Sequence, residues 1–390
     1  MAGPDRFANS SCLYCRSPPA DVQEGVGCGC WGPRIDMRPA LCGPLVAAAQ
    51  EVHLRIGLIV GPWFPVPPPL YGGIERVVDT LARGLEAAGE KVLLAASSDS
   101  SCPVTAVAGM SQSDSRNVGS SLSEMHHAIR AYEAMGEMDL IHDHTLIGPL
   151  YAHRPRSVPV VTTIHGQLLP EVAEIYRAIG RNTSIVAISH DQVRGNPEIP
   201  LAGVIHHGMD VAAVPVGAGE GGYVCFVGRM CPDKGLREAI LVAQSAGIPM
   251  KFAAKMHEPA EFEYFHDVIE PLISSDTEFV GEVCDAEKYE LMGNALAFLN
   301  PIQWPEPFGL VMIEALATGT PVVGTPAGAA PEIVDDGITG YLAPVEDLAA
   351  LLPLAAQLDR KASRAAVEER FSAERMVADH LNLYREILNQ

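Results

Sequence analysis

The sequence predicts an α/β chain with two lobes, each a parallel sheet covered by helices. Two observations lead there. Short β-rich apolar runs alternate with helical patterns along most of the chain, and the alternation starts afresh after a Gly-rich run at residues 215–222. At 390 residues with 48% hydrophobic content, the chain can bury two cores of ordinary domain size. This reading divides it into residues 1–52, a disordered extension or a start assigned too early; 53–213, a first lobe; 214–222, a linker; 223–370, a second lobe; and 371–390, a closing helix.

Taken in order, residues 55–60 read as the first strand, and the prolines between Pro62 and Pro69 mark a loop before Tyr71-Gly72-Gly73. A helix follows, with Ile74, Val77, Val78, Leu81 and Leu85 on one face. Further strands are expected around residues 92–96, 140–142, 158–164 and 185–188. The polar, Ser-rich stretch 97–123 reads as a flexible loop. In the second half an apolar strand ends in Gly228-Arg229, and a helical pattern opens at Leu236. Another buried strand and a Gly/Pro loop lead to a helix start near Pro331. An amphipathic helix over about residues 373–388 ends the chain.

Composition narrows the partners. The net charge is −21, and no part is basic: residues 1–52 carry 4 Lys/Arg against 5 Asp/Glu, residues 53–213 carry 11 against 16, and residues 214–390 carry 12 against 27. Nucleic acid and strongly anionic membrane surfaces both demand a positive face, so neither is expected, although peripheral membrane contact through a local patch stays compatible with these totals. No apolar run reaches the ~18 residues that would suggest a transmembrane helix. Cys102, Cys225, Cys231 and Cys284 are scattered singly and read as reduced structural thiols. Cys12, Cys15, Cys28, Cys30 and Cys42 crowd the beginning, but the Cys28-x-Cys30 spacing is one short of a zinc knuckle. A start at Met37 would leave a short apolar stretch superficially like a signal sequence, with the first buried strand following almost at once.

The stretch most informative about function is Pro305-Glu-Pro-Phe-Gly-Leu-Val-Met-Ile-Glu314. A helix beginning near Phe308 aims its free N–H groups at an anion, and Gly309 lets a phosphate approach the backbone. Glu306 before the helix and Glu314 about two turns inside it can then grip opposite ends of one long polar ligand. Alone, two glutamates eight positions apart also suit a surface helix. Arg229 and Lys234, on the turn between a strand and a helix, add a cationic seat suited to a diphosphate. The first strand carries no Gly-x-Gly-x-x-Gly, which argues against hydride chemistry.

With these motifs in hand, the chain from about Arg55 onward resembles the retaining family 4 glycosyltransferases of GT-B fold, closest to the avilamycin-type branch. The matching segments are Gly228-Arg229, Lys234-Gly235, Glu306 to Glu314, Gly337-Ile-Thr-Gly-Tyr341, Tyr71-Gly-Gly-Ile-Glu75 and Thr163-Ile-His-Gly166. The resemblance implies two Rossmann-like domains facing across a cleft, with the last helix crossing back to the first domain. It implies a nucleotide-diphosphate sugar as donor, an acceptor that is a saccharide, lipid-linked sugar or natural product, and a cytoplasmic location. His165, Arg229, Lys234 and Glu306 are then the expected catalytic residues. Gly72, Gly73, Gly228, Val283, Phe308, Gly309, Leu310 and Glu314 are expected to bind donor.

No metal and no cofactor is expected, because the chain has no Asp-x-Asp and its cations can neutralise the leaving diphosphate. His142-Asp143-His144 superficially suggests a metal site. On a strand only His142 and His144 point the same way and no third ligand is evident, so a structural or acceptor-side role is expected. His206-His207 receives no chemistry. The alternatives are a GT-B-related sugar-nucleotide epimerase or hydrolase, and a non-catalytic nucleotide-sugar-binding protein.

Overall fold

The computed structural model describes residues 53–70 and 72–390. Residues 1–52, with their five cysteines and the alternative start, and Tyr71 lie outside the described residues. The first sheet has seven strands: β1 (Arg55–Ile59), β2 (Lys91–Ala95), β3 (Thr105–Ala106), β4 (Leu140–Asp143), β5 (Val160–Thr163), β6 (Ser184–Ala187) and β7 (Leu201–Val204). They lie in the order β3-β2-β1-β4-β5-β6-β7, all parallel. Its helices are α1 (Gly73–Ala87), α2 (Ser121–Ala134), α3 (Pro170–Ile179) and the short α4 (His190–Val193).

The second sheet contains β8 (Val224–Arg229), β9 (Met250–Lys255), β10 (Thr277–Gly281), β11 (Phe298–Asn300), β12 (Val322–Gly324) and β13 (Gly340–Leu342). Its order, β10-β9-β8-β11-β12-β13, is again all parallel. The helices here are α5 (Leu236–Ala246), α6 (Pro259–Tyr264), α7 (Asp285–Asn294), α8 (Leu310–Ala317), α9 (Ala330–Ile333), α10 (Val345–Ala355) and α11 (Arg360–Arg370), before the final α12 (Ala373–Leu388). Strand order reverses between β1 and β4 in one sheet and between β8 and β11 in the other. Ligands of open α/β sheets bind outside the carboxyl ends of strands at such reversals. Among the described residues no helix is long and apolar enough to cross a membrane.

The stretch 97–123 differs from its expectation as a flexible loop. β3 pairs with β2 as the sheet's edge, the Asp99 carboxylate accepts hydrogen bonds from the backbone N–H and hydroxyl of Ser113, and Val104 and Met110 are buried. Serine and aspartate side chains satisfy the backbone locally where a regular ladder does not. Residues 215–222 are likewise held: the N–H groups of Gly217, Gly219 and Gly221 bond the carbonyls of Thr318, Gly293 and Asn294. Arg360 adds bonds to the carbonyls of Gly217, Gly293 and Ala295.

α12 follows the second sheet in sequence yet packs on α1. Met376, Val377, Leu381 and Tyr384 are buried in one cluster with Val77, Val78, Leu81 and Leu85. The Tyr384 hydroxyl lies 2.7 Å from His142 Nδ1, tying the last helix to the end of β4. Close approach of the two helices depends on Gly84, where a Cβ would lie 2.4 Å from Val377 Cγ2. Gly84→Ala gains about 1 kcal/mol in helix propensity. It overpacks the contact at a cost of typically about 1–3 kcal/mol, so a lower melting temperature is expected. Adding Val377→Ala relieves the clash, and a double-mutant cycle should give favourable coupling of about 1 kcal/mol or more. Strict additivity would contradict this contact.

Candidate active site

The carboxyl ends of both sheets open onto one cavity of 410 Å³. β8 delivers Gly228 and Arg229 to its wall, and the turn Pro232–Lys234 brings Lys234 beside them. Gly235 then takes φ 76°, and a Cβ there would lie 1.9 Å from the Pro301 carbonyl oxygen. Only glycine lets the start of α5 sit that close to the exit of β11. Lys234 Nζ is 2.5 Å from Glu306 Oε1 and 5.5 Å from the centre of the Trp304 ring, so its charge is held inside the cavity wall.

Gly309, at φ 100°, caps α8, which starts at Leu310 rather than near Phe308. Glu314 consequently sits in the second turn, nearer the helix N-terminus than the sequence suggested. Phe308 is buried beneath the turn, and α8 directs its unsatisfied N–H groups toward the cavity. Gly73 begins α1 across the cleft, where a Cβ would lie 3.4 Å from Leu310 Cδ1. Gly72 takes φ 152°, and a Cβ on it would meet the Pro68 ring at 2.7 Å. Two helix N-termini, one from each sheet, thus approach the same space, which suits an anion. All twelve residues singled out from the sequence line this cavity: His165, Arg229, Lys234, Glu306, Gly72, Gly73, Gly228, Val283, Phe308, Gly309, Leu310 and Glu314.

The structure also brings in residues that the sequence reading did not name. Lys288 on α7 is buried, with Nζ 2.6 Å from Glu314 Oε1 and 3.0 Å from Asp285 Oδ1. Arg76 on α1 bonds Asp285 from the other side of the cleft. Burial works against ionisation of Asp285, but Lys288 and Arg76 hold its carboxyl below the usual aspartate range. Charged residues at these positions look like ordinary helix surface in the sequence, and no local signal separates them from it.

Histidines form the remaining wall. His142 and His144 lie on the same side of the β4 end, with ring centres 4.0 Å apart, as strand geometry requires. His142 is pinned through both nitrogens, Nδ1 to Tyr384 and Nε2 to Thr163 Oγ1 at 2.7 Å. His144 Nδ1 lies 2.9 Å from Nε2 of His165, which stacks on His207 at 5.4 Å. His207, given no chemistry in the sequence reading, lines the cavity edge-on to Phe308. His206 instead bonds Glu332, whose carboxyl is held down at about 2: burial opposes ionisation, and His206 with the N–H groups of His190 and Asp191 outweighs it. Among the described residues no group of three His, Cys, Asp or Glu side chains is placed to hold a metal ion.

The chain matches the family model for group 1 glycosyl transferases over residues 217–366 and that for glycosyltransferase family 4 over residues 71–212. A phosphatidyl-myo-inositol mannosyltransferase of Mycolicibacterium smegmatis is 29% identical over 334 residues, covering 75% of this chain and 82% of the relative. In fold, it resembles a glycosyltransferase involved in avilamycin A biosynthesis, with TM-score 0.67 and 24% identity over 86% of this chain and 98% of the other. It also resembles Anabaena HepE in complex with UDP and glucose, with TM-score 0.67 and 19% identity over 85% and 99%. This chain is a GT-B glycosyltransferase. Two Rossmann-like sheets and a crevice between their carboxyl edges are what that fold provides.

In this glycosyltransferase burial keeps the crevice histidines neutral. It pushes His165 down to about 3, with His380 adding repulsion, and lowers His142, His144 and His207 well below the ordinary imidazole range. His127 and His380 are pushed to about 4. These groups are neutral when folded and bind protons when unfolded below about pH 6.5, so their stabilisation is present above that pH and is lost as pH falls below it. Each removes up to about 1.4 kcal/mol per pH unit in that window. Burial raises Glu75 to about 7, Asp143 to about 6 and Glu124 above the usual glutamate range, which acts with the opposite sign over part of the range. Six imidazoles outweigh three carboxyls, so the melting temperature should drop between pH 6.5 and 5. A constant or rising melting temperature on acidification would contradict the neutral cluster.

Proposed function

We propose that the enzyme transfers a sugar from a nucleoside-diphosphate sugar to an acceptor hydroxyl, with retention of anomeric configuration and without a divalent ion. The observation carrying this reading is the convergence of Arg229, Lys234, Glu306 and Glu314 on one cavity that two helix N-termini face. Glu314 accepts hydrogen bonds from the ribose hydroxyls, and Glu306 from hydroxyls of the transferred sugar. The base lies against Glu282 and Val283, and His165 sits beside the sugar. A fold neighbour in complex with UDP-glucose is consistent with such a donor. A donor of this class suits a cytoplasmic enzyme.

The chemistry follows from the charges. As the bond between the anomeric carbon and the diphosphate oxygen stretches, the sugar becomes oxocarbenium-like and the bond's electrons pass to the diphosphate. Arg229, Lys234 and the helix N-termini stabilise that growing anion, and a dry crevice strengthens each contribution. The acceptor oxygen attacks the same face within a short-lived ion pair, and its proton passes to the departing phosphate oxygen. No protein nucleophile is required.

A thermal-stability screen of UDP-, GDP-, ADP- and TDP-sugars tests the donor. A ligand at 100 times its Kd adds about 2.7 kcal/mol, and no response to any of them would overturn this reading. Activity abolished by EDTA and restored by magnesium would refute metal independence, while an inverted anomer in the product would refute retention. Lys234→Ala should lower kcat by on the order of 10². Near-normal turnover would remove Lys234 from the catalytic set.

A further inference from the structure

We propose that His144 is a positioning residue that fixes the tautomer of His165, so that His165 offers the crevice an Nδ1–H donor rather than a basic lone pair. Its catalytic meaning rests on the reading that the donor sugar occupies this cavity; the tautomer itself does not.

Hydrogen bonding at a buried ring, His144, and a half-buried one, His165, restricts where their protons can sit. His144 Nδ1 and His165 Nε2 are 2.9 Å apart, a distance that requires one proton between them. Both imidazoles are neutral, because burial disfavours their charged forms. Two arrangements remain. In one, His165 Nε2–H donates to His144 Nδ1, which forces the only other proton of His144 onto Nε2. That atom is buried and has no hydrogen-bond partner, so a buried N–H donor would be orphaned. In the other, His144 Nδ1–H donates to His165 Nε2, and the orphan is a bare lone pair. Unsatisfied buried donors are rarer than under-used acceptors, so the second arrangement is favoured.

The neighbours leave no escape from this choice. His142, whose ring lies against His144, already uses both its nitrogens on Tyr384 and Thr163, and it cannot turn one toward His144 Nε2. His207 stacks face to face on His165 and so offers it no in-plane partner. With Nε2 accepting from His144, the single proton of His165 must sit on Nδ1. Among the described residues Nδ1 makes no hydrogen bond, and the ring lines the cavity. A histidine in this state donates to a substrate oxygen and does not remove a proton from the acceptor. This agrees with the absence of any required protein base in the proposed transfer, and it gives the second histidine of His142-Asp143-His144 a specific task.

The test needs no substrate. Histidine ¹⁵N resonances distinguish the two neutral tautomers, and the His165 signal is assigned by its loss in His165→Gln. His165 in the wild-type enzyme should show the Nδ1–H form. His144→Phe, which keeps a flat ring but removes the donor, should let His165 populate the Nε2–H form. His144→Asn, whose amide N–H stands near the lost Nδ1–H, should restore the original signal. Circular dichroism and melting temperature show whether each variant is folded. With whichever of UDP-, GDP-, ADP- or TDP-glucose is turned over, His144→Phe should lower kcat about tenfold with donor KM within about twofold, and His144→Asn should recover most of it. An Nε2–H signal in the wild-type enzyme, or an unchanged tautomer in His144→Phe, overturns the proposal. The expected tautomers without turnover of any nucleotide sugar would instead overturn the reading of function.

Discussion

Charge inside the crevice must be paired, and the rest of the site is arranged around that requirement. An isolated buried carboxylate or ammonium costs several kcal/mol, so each one needs a partner before any ligand arrives. Glu306 has Lys234, Glu314 has Lys288, and Asp285 has both Lys288 and Arg76. Each pair is also a ready donor or acceptor for a ligand carrying phosphate and hydroxyls. The same contacts therefore pair the charges of the cavity wall and make it receptive.

Backbone geometry supplies what side chains do not. Because strand order reverses near the middle of each sheet, two loops diverge there and leave a crevice at the carboxyl edge. α1 and α8 start from those edges and turn their N-termini inward, adding partial positive charge without adding a titratable group. The glycines at 72, 235 and 309 hold the positive-φ turns that bring the helices close enough. α12 closes the first sheet from the far end of the chain, and its Tyr384 reaches the same histidine cluster that borders the cavity.

Neutral imidazoles suit this setting. A wall of charged histidines would repel Arg229 and Lys234 and compete with them for the phosphates of the proposed donor. Burial prevents that while keeping polar atoms at the cavity wall. The cluster also links the termini of β4 and β5 to α12, so the histidines bordering the cavity rest on packed secondary structure.

How much of this was legible in advance depends on the range of each interaction. Alternating apolar runs and helical patterns are local, and they are enough to place strands and helices to within a few residues; Ser97–Ser123 misled because serine side chains satisfy a backbone that composition alone marks as loose. The twelve expected site residues lie at or near strand ends and helix starts, where short motifs of Gly, Pro and charge, together with a family resemblance, marked them. Arg76, Asp285 and Lys288 carried no such mark, and His144 and His207, although noticed, gave no sign of the partners they meet. Lys288 and Glu314 are 26 positions apart, and Arg76 and Asp285 are 209 apart. Local sequence determined the elements and the turn chemistry because both act over a few residues. Only the packing of two sheets edge to edge decided which charges meet and which histidine holds which, because those partners share no segment of chain.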